Sequence, residues 1–269
     1  MDKNFIKNVI TSLIVVLLMG VSVSNMQAHN PIYKISWKKD GALIGSGIAL
    51  SLLGEILLHN ADRATLRSIS NLDRNNVWAI DRRATNNYSS TAETVSDVIL
   101  YTSLVLPFTM YAFDERKGSE LELLVMTAET FLITYGITNI TKSVVGRYRP
   151  FNYNSEVDEE TKLGKGSRLS FFSGHASNTA ALCFLTAQSL VDLHPHWKKK
   201  KIVIWSTAAT LPLAISYGRY LAGKHFPTDV LAGYLLGAGV GLLIPRIHRD
   251  KKFEAHLGLN NLKFTYNLN

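Results

Sequence analysis

Three short clusters of ionisable and small polar residues interrupt a largely apolar chain. They are KSVVGRYRP (142–150), SFFSGHAS (170–177) and GRYLAGKHFPTD (218–229). Lys142 and Arg149 are seven residues apart, about two turns, so a helix running up to Pro150 would set both on one face. Ser173 is placed to cap a following helix, which would aim the amides of Gly174 and His175 at an anion. His225 and Asp229 are four residues apart, at the turn into a helix that opens near Pro227. Asp229 either caps that helix or holds one ring nitrogen of His225, leaving the other as a lone pair. Arg219 offers a permanent planar cation to two phosphate oxygens. Taken singly, each cluster also reads as a basic helix end, a Ser-Gly cap or an Asp cap. Together they supply two imidazoles, a carboxylate, three cations and a helix N-terminus. That set suits phosphoryl transfer through a covalent histidine: cations and amides hold the charged oxygens, one histidine attacks, and the other protonates the leaving oxygen. No Cys/His metal-ligand spacing accompanies it, so neither a metal nor another cofactor is expected.

The order and spacing of the three clusters resemble the type 2 phosphatidic acid phosphatase superfamily, with its pattern K-x6-RP, PSGH and SR-x5-H-x3-D. Lys142 to Arg149-Pro150, Ser173-Gly174-His175, and Arg219 to His225 and Asp229 match in turn. The resemblance implies His225 as nucleophile, Asp229 as its orienter and His175 as acid, then base. It implies Lys142, Arg149, Ser173, Gly174 and Arg219 as phosphate ligands, and no metal. Phe172 stands where the family has Pro, and Gly218 where it has Ser. The first departure could reshape the turn and line a leaving-group pocket; the second could remove one phosphate hydrogen bond. Arg147, Arg168 and Lys224 lie outside the pattern and read as solvated or long-range charges.

The elements that must carry these clusters are six apolar runs: 41–58, 95–113, 121–141, 174–191, 202–217 and 230–245. Their length and lack of alternation predict helices, hence an all-α bundle in a membrane with about five or six membrane helices. Gly233, Gly237 and Gly241 recur every four residues, which lets helix backbones approach closely. Glu55, Asp97 and Glu129 interrupt the runs and read as interior structural groups. Lys198–Lys201 and the cations around Arg246 and Arg249 mark the inner side, with Arg116 and Lys117. The clusters then face outward, and 41–58 is expected to pack as an interfacial or re-entrant helix. Six spans with an inside N-terminus is the rival. Residues 60–94 read as a solvated connector, and 151–169, with four carboxylates between Glu156 and Glu160, as a flap over the site.

Three divisions are expected: a signal peptide or anchor over 1–28, a helical phosphatase-like domain over 41–250 and a tail over 251–269. The tail alternates in LKFTYNL (262–268), as a small hairpin would. Charged residues are 19%, hydrophobic residues 46% and the net charge is +8, without an aromatic-interleaved basic patch for nucleic acid. The single Cys183 excludes an intrachain disulfide and reads as a small core residue. The function expected is a metal-independent phosphatase of membrane-lipid phosphate esters or pyrophosphates in a bacterial inner membrane, its site facing the periplasm. A soluble periplasmic acid phosphatase, a vanadate-dependent haloperoxidase and a non-catalytic anion-binding membrane protein are the alternatives.

Overall fold

The computed structural model describes residues 32–113 and 119–250. Its principal elements are helices α1 (Trp37–His59), α2 (Ser90–Ser103), α3 (Glu120–Val145), α4 (Gly174–Leu193), α5 (Lys198–Leu221) and α6 (Pro227–His248). Five of the six apolar runs become one helix each. The run 95–113 does not: α2 stops at Ser103, and Pro107 sits in a 3-10 turn, Leu106–Phe108, before a short helical turn, Thr109–Ala112. Proline lacks an N–H and disfavours the helical conformation of the residue before it, so apolar composition overstates that helix.

α4 is the axis of the bundle, with fifteen of its twenty residues buried against α2, α3, α5 and α6. The glycine row of α6 makes that contact possible. A Cβ on Gly233, Gly237 or Gly241 would fall 2.5, 2.0 or 2.3 Å from the carbonyl oxygen of Ser173, Ser177 or Ala181. Two four-residue rows therefore mesh backbone to backbone. This fixes the start of α4 against that of α6, where the Ser173 amide donates to the Asp229 carbonyl oxygen at 3.0 Å. Cys183 is the small core residue expected, packed with Ala187 and Ala208.

α1 is a continuous helix that runs parallel to α3. Gly47 lies against Leu132, Gly136 against Leu50, and Gly54 against Asn139. Glu55 accepts hydrogen bonds from Tyr135 (2.5 Å) and Asn139 (3.0 Å). The re-entrant reading of 41–58 is therefore corrected: it is one unbroken helix alongside α3, as the six-span rival requires. Counting charges could not see that small residues on both helices seat α1 along the full contact with α3. Its last turns lie toward the clusters and its start lies at the opposite end, where Ile32–Lys34 pair with His248–Asp250.

α1, the stretch Glu120–Tyr153 that contains α3, and α6 are each long and apolar enough to cross a membrane. Ile48, Leu52 and Ile56 of α1 and Leu231, Leu235 and Leu243 of α6 face outward, while Glu129 is fully buried. The chain associates with a membrane. The expectations for 1–28, for Arg116 and Lys117, and for the tail 251–269 lie outside the described residues.

Candidate active site

α3 does not reach Pro150. It ends at Val145 because Gly146 takes a left-handed conformation (φ 57°), which a residue with a Cβ adopts only at a cost. Lys142 and Arg149 therefore do not share a helical face. They meet across the reversal, where Lys142 lies within the electrostatic reach of both Arg149 and Arg219. Carbonyl oxygens of the 151–169 segment receive these cations. Lys142 donates to Leu169 (3.2 Å) and the Arg149 Nε to Gly166 (2.7 Å). Thr161, Gly164 and Ser167 of the same segment line the neighbouring cavity.

Ser173 caps α4 by accepting from the Ala176 amide, at a long 3.4 Å, and is fully buried. The amides of Gly174 and His175 open the helix, where N–H groups have no acceptor within the helix. Phe172 is buried and is not among the residues lining the neighbouring cavity. Gly218 faces α2: a Cβ would lie 3.0 Å from that of Ser96. Ser96 in turn offers its hydroxyl to Arg219, at 3.2 Å.

His225 Nδ1 lies 2.7 Å from the Ser170 carbonyl oxygen. A carbonyl only accepts, so Nδ1 carries the hydrogen and Nε2 the lone pair. Burial, then the charges of Lys142, Arg149, Arg219 and His175, hold this imidazole well below its ordinary value of 6.5, so it is neutral near pH 7. Lys224, in the same turn, is also lowered by burial and is offset by Glu93 at 2.8 Å.

Asp229 is 3.8 Å from His225 Nδ1, beyond hydrogen-bond range. Of the two roles weighed for it, the helix cap is the one seen: Asp229 Oδ2 accepts from the Phe226 amide at 2.8 Å. The same oxygen accepts from Ser170 Oγ (2.5 Å), so Asp229 reaches His225 only through Ser170. Its other oxygen takes Arg147 at 2.5 Å. Arg147 also pairs with buried Asp81 (2.8 Å) and lies 4.1 Å over the Phe226 ring. The reading of Arg147 as a solvated charge is therefore wrong, whereas most of 60–94 is exposed, as a solvated connector would be. Asp81, Ala84 and Thr85 pack onto the site end of the bundle.

The residue that sequence reasoning placed elsewhere is Asp97. Its Oδ1 takes both His175 Nε2 (2.7 Å) and Arg219 (2.9 Å). The carboxylate can only accept, so the proton of His175 sits on Nε2. Glu93 and Asp97, four residues apart at the start of α2, were the available signal: one helical face carrying two carboxylates.

A cavity of about 560 Å³ lies against Glu93, Asp97, Arg149, His175, Arg219 and Lys224, while Lys142, Ser173, His225 and Asp229 are not among its lining residues. Arg149, His175, Arg219 and Lys224, with the carboxylates of Glu93 and Asp97, form its polar wall, and Leu100 and Tyr101 of α2, Leu104 just after it and Phe131 of α3 its apolar one. A neutral imidazole with its lone pair on Nε2, a second imidazole with its hydrogen on Nε2 and a set of cations thus gather at one end of the helical bundle. Residues 123–253, a little under half of the chain, match the family model of the PAP2 superfamily.

Among its relatives, an undecaprenyl-diphosphatase from Sulfolobus acidocaldarius is 31% identical over 132 residues, 48% of this chain and 58% of that protein. Phosphatidylglycerophosphatase B from Bacillus subtilis is 28% identical over 142 residues, 53% of this chain and 64% of that one. The chain thus spans less than two thirds of the length of these relatives. A crystal structure of a transmembrane PAP2-type phosphatidylglycerolphosphate phosphatase from Bacillus subtilis aligns over 96% of this chain and 98% of its own, at 17% identity and a TM-score of 0.41.

Proposed function

We propose that this protein is a phosphatase of membrane-lipid phosphates that works through a phosphohistidine on His225. The observation that carries the reading is the two-sided cavity: its polar wall receives a phosphate while its apolar wall follows α2 and α3, where a lipid tail can stay among the helices. The substrate is a phosphomonoester or pyrophosphate of a lipid, as in the names of the two relatives. The 151–169 segment selects the headgroup.

In the first step His225 Nε2 attacks phosphorus, forming the N–P bond as the P–O bond to the lipid breaks. His175, as the imidazolium, delivers a ring proton to the departing oxygen and is left neutral. Lys142, Arg149, Arg219 and the Gly174 amide hold the equatorial oxygens, where charge is concentrated in the transition state. In the second step His175 takes a proton from water as its oxygen attacks phosphorus. The N–P bond breaks, inorganic phosphate leaves and His225 regains its lone pair. Asp97 is the positioning residue for His175, and Asp229 with Ser170 for His225. Ser173 sets the helix start and presents the amides. The site faces the periplasm, opposite Lys198–Lys201, which open α5 at the far end of the bundle.

The test is phosphate release by the full chain in detergent, with EDTA present. Lipid monophosphates, a prenyl diphosphate and a water-soluble ester are compared for wild type, His225→Ala and His175→Ala. The expected result is chelator-resistant release from a lipid substrate, lost by at least about a thousandfold without His225 and about a hundredfold without His175. Preference for the soluble ester would favour an acid phosphatase instead. Absence of release from every substrate by folded protein would leave an anion-binding membrane protein.

A further inference from the structure

At the end of the bundle opposite the active site, three helices each direct one ionisable side chain to a common point. Asp40 comes from the first turn of α1, Glu129 from α3 and His248 from the last turn of α6. All three are buried, at 3%, 0% and 1% exposure. Their potential ligand atoms lie within 4.8 Å of one another. We propose that Asp40, Glu129 and His248 bind a divalent transition-metal ion that fastens α1, α3 and α6 together.

The geometry at His248 carries the argument. Its Nδ1 lies 2.8 Å from the Ile244 carbonyl oxygen and so holds a hydrogen, which turns Nε2 toward the two carboxylates. Nε2 is 3.1 Å from Asp40 Oδ1 and 3.2 Å from Glu129 Oε2. Neither contact has hydrogen-bond geometry: Nε2, Asp40 Oδ1 and both oxygens of Glu129 have no hydrogen-bond partner. A proton on Nε2 would therefore serve neither oxygen well. A metal about 2.1 Å from each atom, with bond angles of about 95–100°, places cis ligands about 3.1–3.2 Å apart, which these pairs match.

Charge points the same way. Two carboxylates out of water need compensation. The Lys39 ammonium is 3.6 Å from Asp40 Oδ1 but is partly exposed and donates to the Ile247 carbonyl at 3.1 Å. Asp40 Oδ2 is occupied by the Ser36 amide at 2.5 Å, so Oδ1 is the oxygen left for the ion. A neutral imidazole, two carboxylates and a divalent cation sum to zero. Mixed imidazole and carboxylate donors suit zinc, manganese or ferrous iron. The ion touches none of the residues given roles in phosphoryl transfer, so its part is to hold helices, and it stands apart from the chelator-resistant chemistry proposed above.

The experiment uses the full chain, purified in detergent without chelator, and measures metal content by mass spectrometry and melting temperature before and after chelation. About one divalent transition-metal ion per chain is expected. Adding zinc to the stripped protein should raise its melting temperature. Glu129→Gln and Asp40→Asn should each lower retained metal at least tenfold and abolish the zinc-dependent rise. If one variant fails to fold, the other and the zinc titration of wild type still decide. Trace metal in wild type with no zinc-dependent shift would overturn the proposal. So would full metal content in both variants.

Discussion

At the level of single residues, the site is built from charges that hold one another out of the way. Asp97 takes the two groups, His175 Nε2 and Arg219, that a phosphate would also engage. Asp97→Asn keeps the shape and removes the charge. The proton on His175 then has less support. We expect kcat to fall by about tenfold to a hundredfold and the alkaline limb of its pH profile to move to lower pH, whereas a merely structural role would leave the profile in place. His225 makes the opposite case. Its folded-state pKa lies below the ordinary 6.5, so the lone pair persists as pH falls past that value. The acid limb of kcat/KM due to this group should therefore lie below pH 6.5. The linkage has a matching sign: the unfolded chain takes up the proton first. The stability contributed by neutral His225 is complete above pH 6.5 and is lost as pH falls below it. A melting-temperature series in detergent across that range checks it.

At the level of elements, the glycine row of α6 determines whether the two halves of the site meet. The Gly237→Ala methyl would stand 2.0 Å from the Ser177 carbonyl oxygen, and backbone cannot move aside as a flexible side chain can. The helices must separate, so overpacking should cost about 1–3 kcal/mol and displace the start of α4, with His175, from the start of α6. The expected outcome is a lower melting temperature together with a kcat loss larger than that of Gly239→Ala, whose Cβ meets nothing within 4 Å. Equal behaviour of the two variants would refute the role given to the row. The connector after α1 matters for a similar reason. Arg147 holds Asp229 only while Asp81 holds Arg147, so Arg147→Ala leaves two buried carboxylates unpaired. That should destabilise the chain by about 3 kcal/mol, measured by denaturation in detergent.

At the level of the whole molecule, the fold separates two ends. The three motif clusters and the 60–89 connector gather at one, and Asp40, Glu129, His248 and the start of α5 at the other. Because α1 runs parallel to α3, the chain before α1 and the chain after it lie at opposite ends. Reporter fusions after Lys39 and after Asn76 should report opposite sides, cytoplasmic at Lys39 and periplasmic at Asn76. The same side at both positions would restore the interfacial helix.

The sequence alone determined the helices, because burial of apolar runs longer than a few turns leaves the backbone no cheaper way to satisfy its own hydrogen bonds. It also determined the motif residues, since their order and spacing are local properties of the chain. Even there it overran the helix ends at 103 and 145, where Pro107 and the left-handed Gly146 prevail over composition. Only the tertiary structure decided which carboxylate faces which imidazole. Asp97 and His175 are seventy-eight residues apart, Asp229 turned out to serve Arg147 and a helix cap, and Ser170 took the ring nitrogen expected for Asp229. Such meetings depend on the crossing of helices, which glycine rows set through distances of tenths of an ångström, and no spacing along one strand of sequence encodes them.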